Sequence, residues 1–100
     1  MNSILRNSKR KIDTLCAKHG VQKLYVFGSV LTPRFNEDSD VDFLVDFNKE
    51  KIADYFTNFF DFKEALEKAV GRKIDLVEQS AIRNPIFKRR VDNTKQVIYG

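Results

Sequence analysis

Hydrophobic residues recur along the chain with two different periods, and the change from one period to the other predicts helices and strands. In residues 3–19 and 54–70, apolar side chains return every three or four positions, which places them on one side of a helix. In residues 41–47, Val or Phe occupies every second position, the period of a strand with two different faces. Residues 22–27 and 73–78 are short runs rich in strand formers. The pattern therefore predicts two long helices and three strands.

The remaining segments complete the predicted order. A brief helical turn is expected after the first strand, and a final helix should begin at Asn84-Pro85, where proline suits the first turn, and run to about Val91. Residues 96–99 form either an edge strand or coil. The order is helix, strand, strand, helix, strand, helix. It predicts one domain over residues 1–100, of the α/β or α+β class, with a small central sheet and helices on its faces.

The composition is that of a folded protein in a reducing compartment. Hydrophobic residues are 42% of the chain and charged residues 32%, a balance typical of globular domains and not of disordered segments. The single cysteine, Cys16, excludes an internal disulfide framework and falls on an apolar helix stripe, so we expect it in the core. No apolar run is long enough for a membrane span, and the first residues lack the features of a signal peptide. We expect a cytoplasmic protein without a membrane partner.

Charge is distributed unevenly along the chain. The net charge is +4, yet residues 34–50 carry six acidic against two basic side chains. This contrast suggests a cation site flanked by surface that attracts anions. We interpret Lys88-Arg89-Arg90 as a solvated helix face, with contact to phosphate, a partner or nucleic acid as the alternative. No basic motif interleaved with aromatic residues supports base recognition, so nucleic acid is not an expected partner.

Asp40 and Asp42 are the central chemical feature. Separated by one residue at the start of a strand, they project to the same side about 6–7 Å apart, and at that distance two negative charges repel by roughly 2–3 kcal/mol at an effective dielectric of ~20. A cation between them would relieve the repulsion, and carboxylate oxygens suit Mg²⁺ or Mn²⁺. The alternative is an acidic loop that merely leads into a strand. A calcium loop is excluded, because its sixth and twelfth positions would be Phe43 and Lys49 instead of Gly and Glu.

Gly28-Ser29 and Asp75 add to this pair. A strand that ends in Gly-Ser and a helical turn can present backbone N–H groups and a hydroxyl to a phosphate, although Gly-Ser often marks only a turn. It is not a P-loop, because no Gly-Lys-Ser/Thr follows. Asp75 interrupts an apolar strand that we expect to be buried. If this strand lies beside 41–47, Asp75 completes a three-carboxylate cluster and holds the metal that activates an attacking hydroxyl, or accepts its proton.

The combined motif resembles a known signature. Gly-Ser, ten further residues and Asp-x-Asp, in GSVLTPRFNEDSDVDFLV at 28–45, are similar to the motif of the DNA polymerase beta-like nucleotidyltransferase superfamily. The segment GRKIDLV at 71–77 resembles the part of that family that carries its third carboxylate. The short chain resembles the minimal nucleotidyltransferases, or MNT proteins.

The resemblance implies a nucleotidyltransferase fold with a mixed sheet, and it implies a site. Two Mg²⁺ ions, with Mn²⁺ as a possible substitute, would be bound by Asp40 and Asp42, with Asp75 contributing to the second. Gly28 and Ser29 would hold the triphosphate of ATP or another nucleoside triphosphate. The implied partner is a HEPN-domain toxin, and the implied activity is transfer of AMP to a tyrosine of that toxin by an antitoxin.

The residue after the Ser is often Arg in the family but is Val30 here, so Arg34 or a basic residue of the last helix must replace it, or nucleotide affinity is weaker. The chain could also be an antitoxin that neutralises its partner by contact alone, or it could modify a small molecule such as an aminoglycoside.

The phenylalanines at 56, 59, 60 and 62 exceed what one narrow core stripe needs, so some of them are expected at the surface.

Overall fold

The computed structural model describes residues 3–100, which form a mixed sheet with helices on both faces. The helices and strands are α1 (Ser3–Lys18), β1 (Val21–Phe27), β2 (Val41–Phe47), α2 (Tyr55–Val70), β3 (Ile74–Glu78), α3 (Pro85–Thr94) and β4 (Gln96–Tyr99). Short 3-10 helices lie at Gly28–Leu31, Lys49–Lys51 and Gln79–Ala81; we call the first of these the Gly28 turn. The predicted α+β class and the predicted order of elements are confirmed.

The sheet has the strand order β3-β2-β1-β4. β2 and β3 are parallel, whereas β1 is antiparallel to both β2 and β4. The sheet is therefore mixed, as the family resemblance implied. The segment 96–99 is the edge strand β4 next to β1, so the coil alternative for this segment is wrong.

The two faces of the sheet are covered very differently. On one face α1 and α2 pack over β2 and build the main core, which includes Ile12, Phe43, Phe62 and the predicted core residue Cys16. On the other face α3 contributes a single buried residue, Val91, to a small cluster with Phe27 and Leu44. The face with the thin cover is the one that carries Asp42, because side chains alternate along β2.

The helix ends follow from local capping. In α2 the Asp54 carboxylate accepts a hydrogen bond from the Thr57 amide at 3.2 Å, and Gly71 ends the helix in a left-handed conformation. In α3 the Asn84 side chain caps the first turn, and the helix continues to Thr94 instead of ending near Val91. No helix within residues 3–100 combines the length and the apolar character needed to cross a membrane.

Phenylalanines of α2 divide between the core and the surface. Phe62 is fully buried, whereas Phe56 is 72% exposed and Phe60 is 49% exposed. The prediction that some of these residues lie at the surface is confirmed. The helix turns Phe56 away from the sheet and stacks its ring against Phe60, with the ring centroids 4.8 Å apart.

Candidate active site

Strand register brings two of the predicted acids side by side at one end of the sheet. Asp42 lies directly opposite Asp75 in the parallel β2–β3 pair, and it lies opposite Phe27 in the antiparallel β1–β2 pair. Paired residues of neighbouring strands point to the same face, with backbones about 4.8 Å apart. The predicted neighbourhood of Asp42 and Asp75 is therefore present, and the Gly28 turn, which follows Phe27, closes the site from the other side.

Gly28 packs directly against the Asp42 carboxylate. It has a φ of +78°, and a Cβ at this position would lie 2.2 Å from Oδ2 of Asp42. The position therefore requires glycine for two reasons, the left-handed backbone and the lack of space. The carbonyl of Ser29 accepts hydrogen bonds from the amide and the hydroxyl of Thr32, each at 2.9 Å. Within residues 3–100 the Ser29 hydroxyl itself has no partner, so it is available to a ligand.

The acids of the site are not neutralised by the protein. Burial raises the pKa of Asp42, and the charges of Asp75 and Asp40 raise this pKa further. In the part of the chain that the structure describes, no ion pair involves any of these three carboxylates. Asp75 is exposed, contrary to the expectation of burial, and it lies on β3, an edge strand of the sheet. The site is thus an open concentration of negative charge.

Asp40 lies at the end of a loop that Arg72 holds in place. The Arg72 guanidinium donates to the carbonyls of Asn36 and Glu37 at 2.9 and 2.7 Å, and it stacks over the Phe35 ring at 4.5 Å. The loop is closed by its own hydrogen bonds as well, from the Asn36 amide to Ser39 Oγ at 3.2 Å among others. Because β2 begins immediately after Asp40, this anchoring limits where the Asp40 carboxylate can go.

A cavity of about 590 Å³ opens next to Asp42, between the Gly28 turn and α3. Its floor and its two walls are formed by Phe27, Gly28, Leu31, Thr32, Asp42, Phe87, Arg90, Val91, Thr94 and Gln96. The rings of Phe27 and Phe87 meet edge to face, with centroids 6.1 Å apart. The cavity therefore combines an aromatic and aliphatic lining with one carboxylate and one guanidinium, a composition typical of sites for small organic ligands.

The chemistry of the acids suits Mg²⁺ bound together with a substrate. The donors are hard carboxylate oxygens, and the raised pKa of Asp42 reflects repulsion that a cation would relieve. Within residues 3–100, however, no three His, Cys, Asp or Glu side chains are close enough together to hold an ion by themselves. An ion here would complete its coordination with water and substrate phosphate, as Mg²⁺ commonly does. The assignment of Asp40, Asp42 and Asp75 as metal ligands stays a prediction.

A second cavity, of about 500 Å³, lies between α1 and α2. Its lining includes Leu15, Ala65 and Ala69, with Arg10 and Lys68 among the basic residues. This cavity is on the opposite side of the sheet from Asp42, and no carboxylate lines it. We therefore assign the chemistry to the cavity at the Gly28 turn.

One residue of the site, Arg72, was not singled out from the sequence, and a second, Arg90, was given a phosphate contact only as the alternative interpretation. Arg72 anchors the acidic loop, and Arg90 lines the cavity although its segment was interpreted as a solvated face. That interpretation is correct for Lys88, which pairs with Asp92 at 3.4 Å on the exposed side of α3. The apolar Val91 marks the buried side of α3. Adjacent residues of a helix lie about 100° apart around its axis, so Arg90 is at the edge of that side.

Sequence comparison agrees with this geometry. The family profile "Polymerase beta, Nucleotidyltransferase" matches residues 10–100. Protein adenylyltransferase MntA of Thermococcus cleftensis is 36% identical over 99 residues, which cover 99% of this chain and 91% of the relative. The match extends over nearly all of both chains, so it includes every residue of the candidate site.

Structural comparison leads to the same family. A solved structure described as that of a minimal nucleotidyltransferase matches with a TM-score of 0.75 and 32% identity, covering 92% of this chain and 90% of that chain. A complex of AMPylated Shewanella oneidensis HEPN toxin with MNT antitoxin matches with a TM-score of 0.65, covering 95% of this chain and 71% of that chain. At 20% identity, the second match concerns the fold alone. The profile match and the high-coverage relatives show that this chain belongs to the minimal nucleotidyltransferases of the polymerase beta-type nucleotidyltransferase family.

Proposed function

We propose that this nucleotidyltransferase transfers AMP from ATP to a tyrosine hydroxyl of a HEPN-domain toxin, with Mg²⁺ bound at the acids, and thereby acts as an antitoxin. The observation that carries the proposal is the register of Asp42 with Asp75 beside the Gly28 turn. It places unneutralised carboxylates next to a backbone that can approach a phosphate closely. The relatives support the type of reaction, since Thermococcus cleftensis MntA is named a protein adenylyltransferase.

Each residue of the site has a role in this reaction. Ser29 donates its free hydroxyl to a phosphate oxygen, and Gly28 leaves room for the triphosphate against Asp42. Asp40, Asp42 and Asp75 act as ionised ligands that keep the metal and the α-phosphate together. Bound Mg²⁺ would supply charge neutralisation at the phosphates and a lower pKa for the acceptor hydroxyl. Asp75, at the open edge of the sheet, faces the side from which a protein acceptor can enter.

The acceptor is proposed from the class of relatives. The Shewanella oneidensis complex contains a HEPN toxin that carries AMP together with its MNT antitoxin. A related toxin–antitoxin structure, 21% identical with a TM-score of 0.70, contains AMP-PNP. This chain leaves the β3 edge of the site open, where no second domain of its own within residues 3–100 covers Asp75. An open site of this kind fits a large acceptor better than a small one.

The experiment combines the purified chain, its HEPN partner, Mg²⁺ and ATP labelled at the α-phosphate. We expect label on the toxin, loss of labelling with EDTA, and loss of labelling when the acceptor tyrosine is replaced by phenylalanine. ATP labelled at the γ-phosphate is the matched control and should leave no label, because AMP transfer releases pyrophosphate. Absence of α-label on a toxin that binds the chain would overturn the proposal.

A variant separates turnover from binding. The double change Asp40→Ala and Asp42→Ala should abolish labelling and also abolish rescue of cells from the toxin. If the double variant still rescues cells, the chain neutralises its partner by contact alone, and the acids are not needed for the antitoxin effect.

A further inference from the structure

The residue directly after Ser29 offers no cation to a phosphate bound at the Gly28 turn. The residue there is Val30, which is only 5% exposed and belongs to the main core under α1 and α2. Its side chain therefore points away from the cavity at the Gly28 turn. A triphosphate bound at Ser29 would have to find its cationic partner elsewhere.

Arg34 does not fill this place. It lies in the exposed loop after the Gly28 turn, where its amide bonds the Thr32 hydroxyl at 3.3 Å, and it does not line the cavity. Among residues 3–100, Arg90 of α3 is the one Lys or Arg side chain in the cavity lining.

Arg90 is also available for a ligand. Two neighbouring lysines are already paired. Asp92 forms ion pairs with Lys88 of α3 at 3.4 Å and with Lys95, which follows α3, at 2.9 Å. Arg90 makes no ion pair in the described part of the chain, and it precedes Val91, the residue that anchors α3 to the sheet. The anchor fixes the position of the Arg90 backbone relative to Phe27 and the Gly28 turn.

We infer that Arg90 binds the triphosphate of the nucleotide in the cavity at the Gly28 turn. This inference rests on the proposed function. The strand order places Asp75, Asp42, the Gly28 turn and the Arg90 cavity in one line across the sheet. The triphosphate then lies on the Arg90 side of Asp42, and the acceptor hydroxyl enters on the Asp75 side. A guanidinium suits this role because it presents several N–H donors in a plane that matches phosphate oxygens.

The test measures the binding of AMP-PNP and of AMP by calorimetry in the presence of Mg²⁺. Arg90→Ala should weaken AMP-PNP binding about ten- to hundredfold, the change expected on loss of a charge-assisted hydrogen bond. AMP, which lacks the β- and γ-phosphates, should lose much less affinity. Arg90→Lys keeps the charge and should recover part of the loss. Arg89→Ala is the matched control, since Arg89 is exposed on the same helix turn and does not line the cavity.

The possible outcomes separate this inference from the proposed function. If wild type binds AMP-PNP and Arg90→Ala weakens it no more than Arg89→Ala does, the role of Arg90 is overturned while the proposed function stands. If Arg90→Ala weakens AMP and AMP-PNP equally, the guanidinium does not act on the triphosphate, and the inference is wrong. If wild type binds no nucleotide with Mg²⁺, the proposed function fails first.

Discussion

Carboxylates at the two ends of β3 have opposite surroundings. At the first end, Asp75 lies beside Asp42, and no Lys or Arg of residues 3–100 forms an ion pair with either carboxylate. At the last end, Glu78 accepts hydrogen bonds from the Tyr55 and Ser80 hydroxyls, the latter at 2.6 Å, and pairs with Lys49 at 3.0 Å. The ammonium of Lys49 also lies over the Tyr55 ring. On the same strand, Glu78 thus has hydrogen-bond and ion-pair partners within the protein, whereas Asp75 has no ion-pair partner within residues 3–100.

The pKa values of Asp42, the neighbour of Asp75, and of Glu78 shift in opposite directions. Burial raises the pKa of Asp42, and the neighbouring acids add to the increase. Burial also raises the pKa of Glu78, but the hydrogen bonds from Ser80, Tyr55 and Lys49 outweigh it, and the net direction is downward. The ionised form is therefore destabilised in the folded protein at Asp42 and stabilised at Glu78. The first arrangement is useful only if a ligand brings positive charge, whereas the second stabilises the fold by itself.

The largest expected effect follows from removing the charge of Asp42. Asp42→Asn should lower the rate of AMP transfer by about a thousandfold or more, because a lost metal ligand removes several kcal/mol of charge stabilisation. The same change should raise the melting temperature of the metal-free protein, since it removes a repulsive charge from the fold. The AMP-transfer assay checks the first statement, and thermal melts with and without Mg²⁺ and ATP check the second. An unchanged or lower melting temperature without metal would show that the acids do not strain the fold.

Two glycines have the same backbone conformation but different surroundings. Gly28 and Gly71 have φ values of +78° and +76°, but a Cβ at Gly71 would meet nothing within 4 Å. Gly71→Ala should therefore lose only the left-handed backbone preference, about 1 kcal/mol, and should retain activity. Gly28→Ala adds a collision with Asp42, so it should lose about 2 kcal/mol or more and most of the activity. Urea denaturation and the AMP-transfer assay measure the pair, and equal losses would argue against the close approach to Asp42.

Glu78→Gln tests the hydrogen bonds and the ion pair of the Glu78 carboxylate. We expect a loss of about 1–2 kcal/mol in the free energy of unfolding at neutral pH, from weaker hydrogen bonds to an uncharged group. Because the pKa of Glu78 is lowered by folding, its contribution is present above the ordinary value of 4.5 and is lost as the pH falls below it. The variant should therefore lose stability less steeply than wild type in acid. Glu64→Gln is the control, since Glu64 pairs with Lys68 on the open surface at 3.5 Å and should change stability very little.

The smallest expected effect concerns the loop that carries Asp40. Arg72→Ala removes the two hydrogen bonds to the loop carbonyls and the stacking on Phe35, and it should reduce AMP transfer several-fold through poorer placement of Asp40. Stability should fall by less than about 1 kcal/mol, because these contacts are exposed. Lys73→Ala, an exposed neighbour whose structural contact is through its backbone carbonyl, should be close to wild type in both measurements. A fall in activity of the same size in both variants would mean that the loop does not depend on the Arg72 guanidinium.

Local pattern was enough to predict most elements. The bounds of β2 agree with the predicted 41–47, and those of α2 differ by one residue from the predicted 54–70. These segments are long or strictly periodic, so the hydrophobic pattern alone selects one structure. The end of α3 was predicted three residues too early, since nothing in the local sequence after Val91 ends the helix.

Contacts between distant segments could not be predicted in the same way. The exposure of Asp75 depends on β3 being at the edge of the sheet, and the exposure of Phe56 depends on how α2 is rotated on the core. The position of Arg90 in the cavity wall depends on where Val91 anchors α3. None of these follows from the order of residues within one element.

The sequence by itself determined the elements, the family resemblance and which acids could act, because periodicity and motif spacing are properties of neighbouring residues. Only the tertiary structure decided that Asp42 pairs with Asp75, that Gly28 packs against the Asp42 carboxylate, and that Arg90 lines the adjoining cavity. The physical reason is that strand register and helix placement are set by burying the apolar faces of segments far apart in the chain. A site built at the ends of three strands exists only once that burial has brought them together.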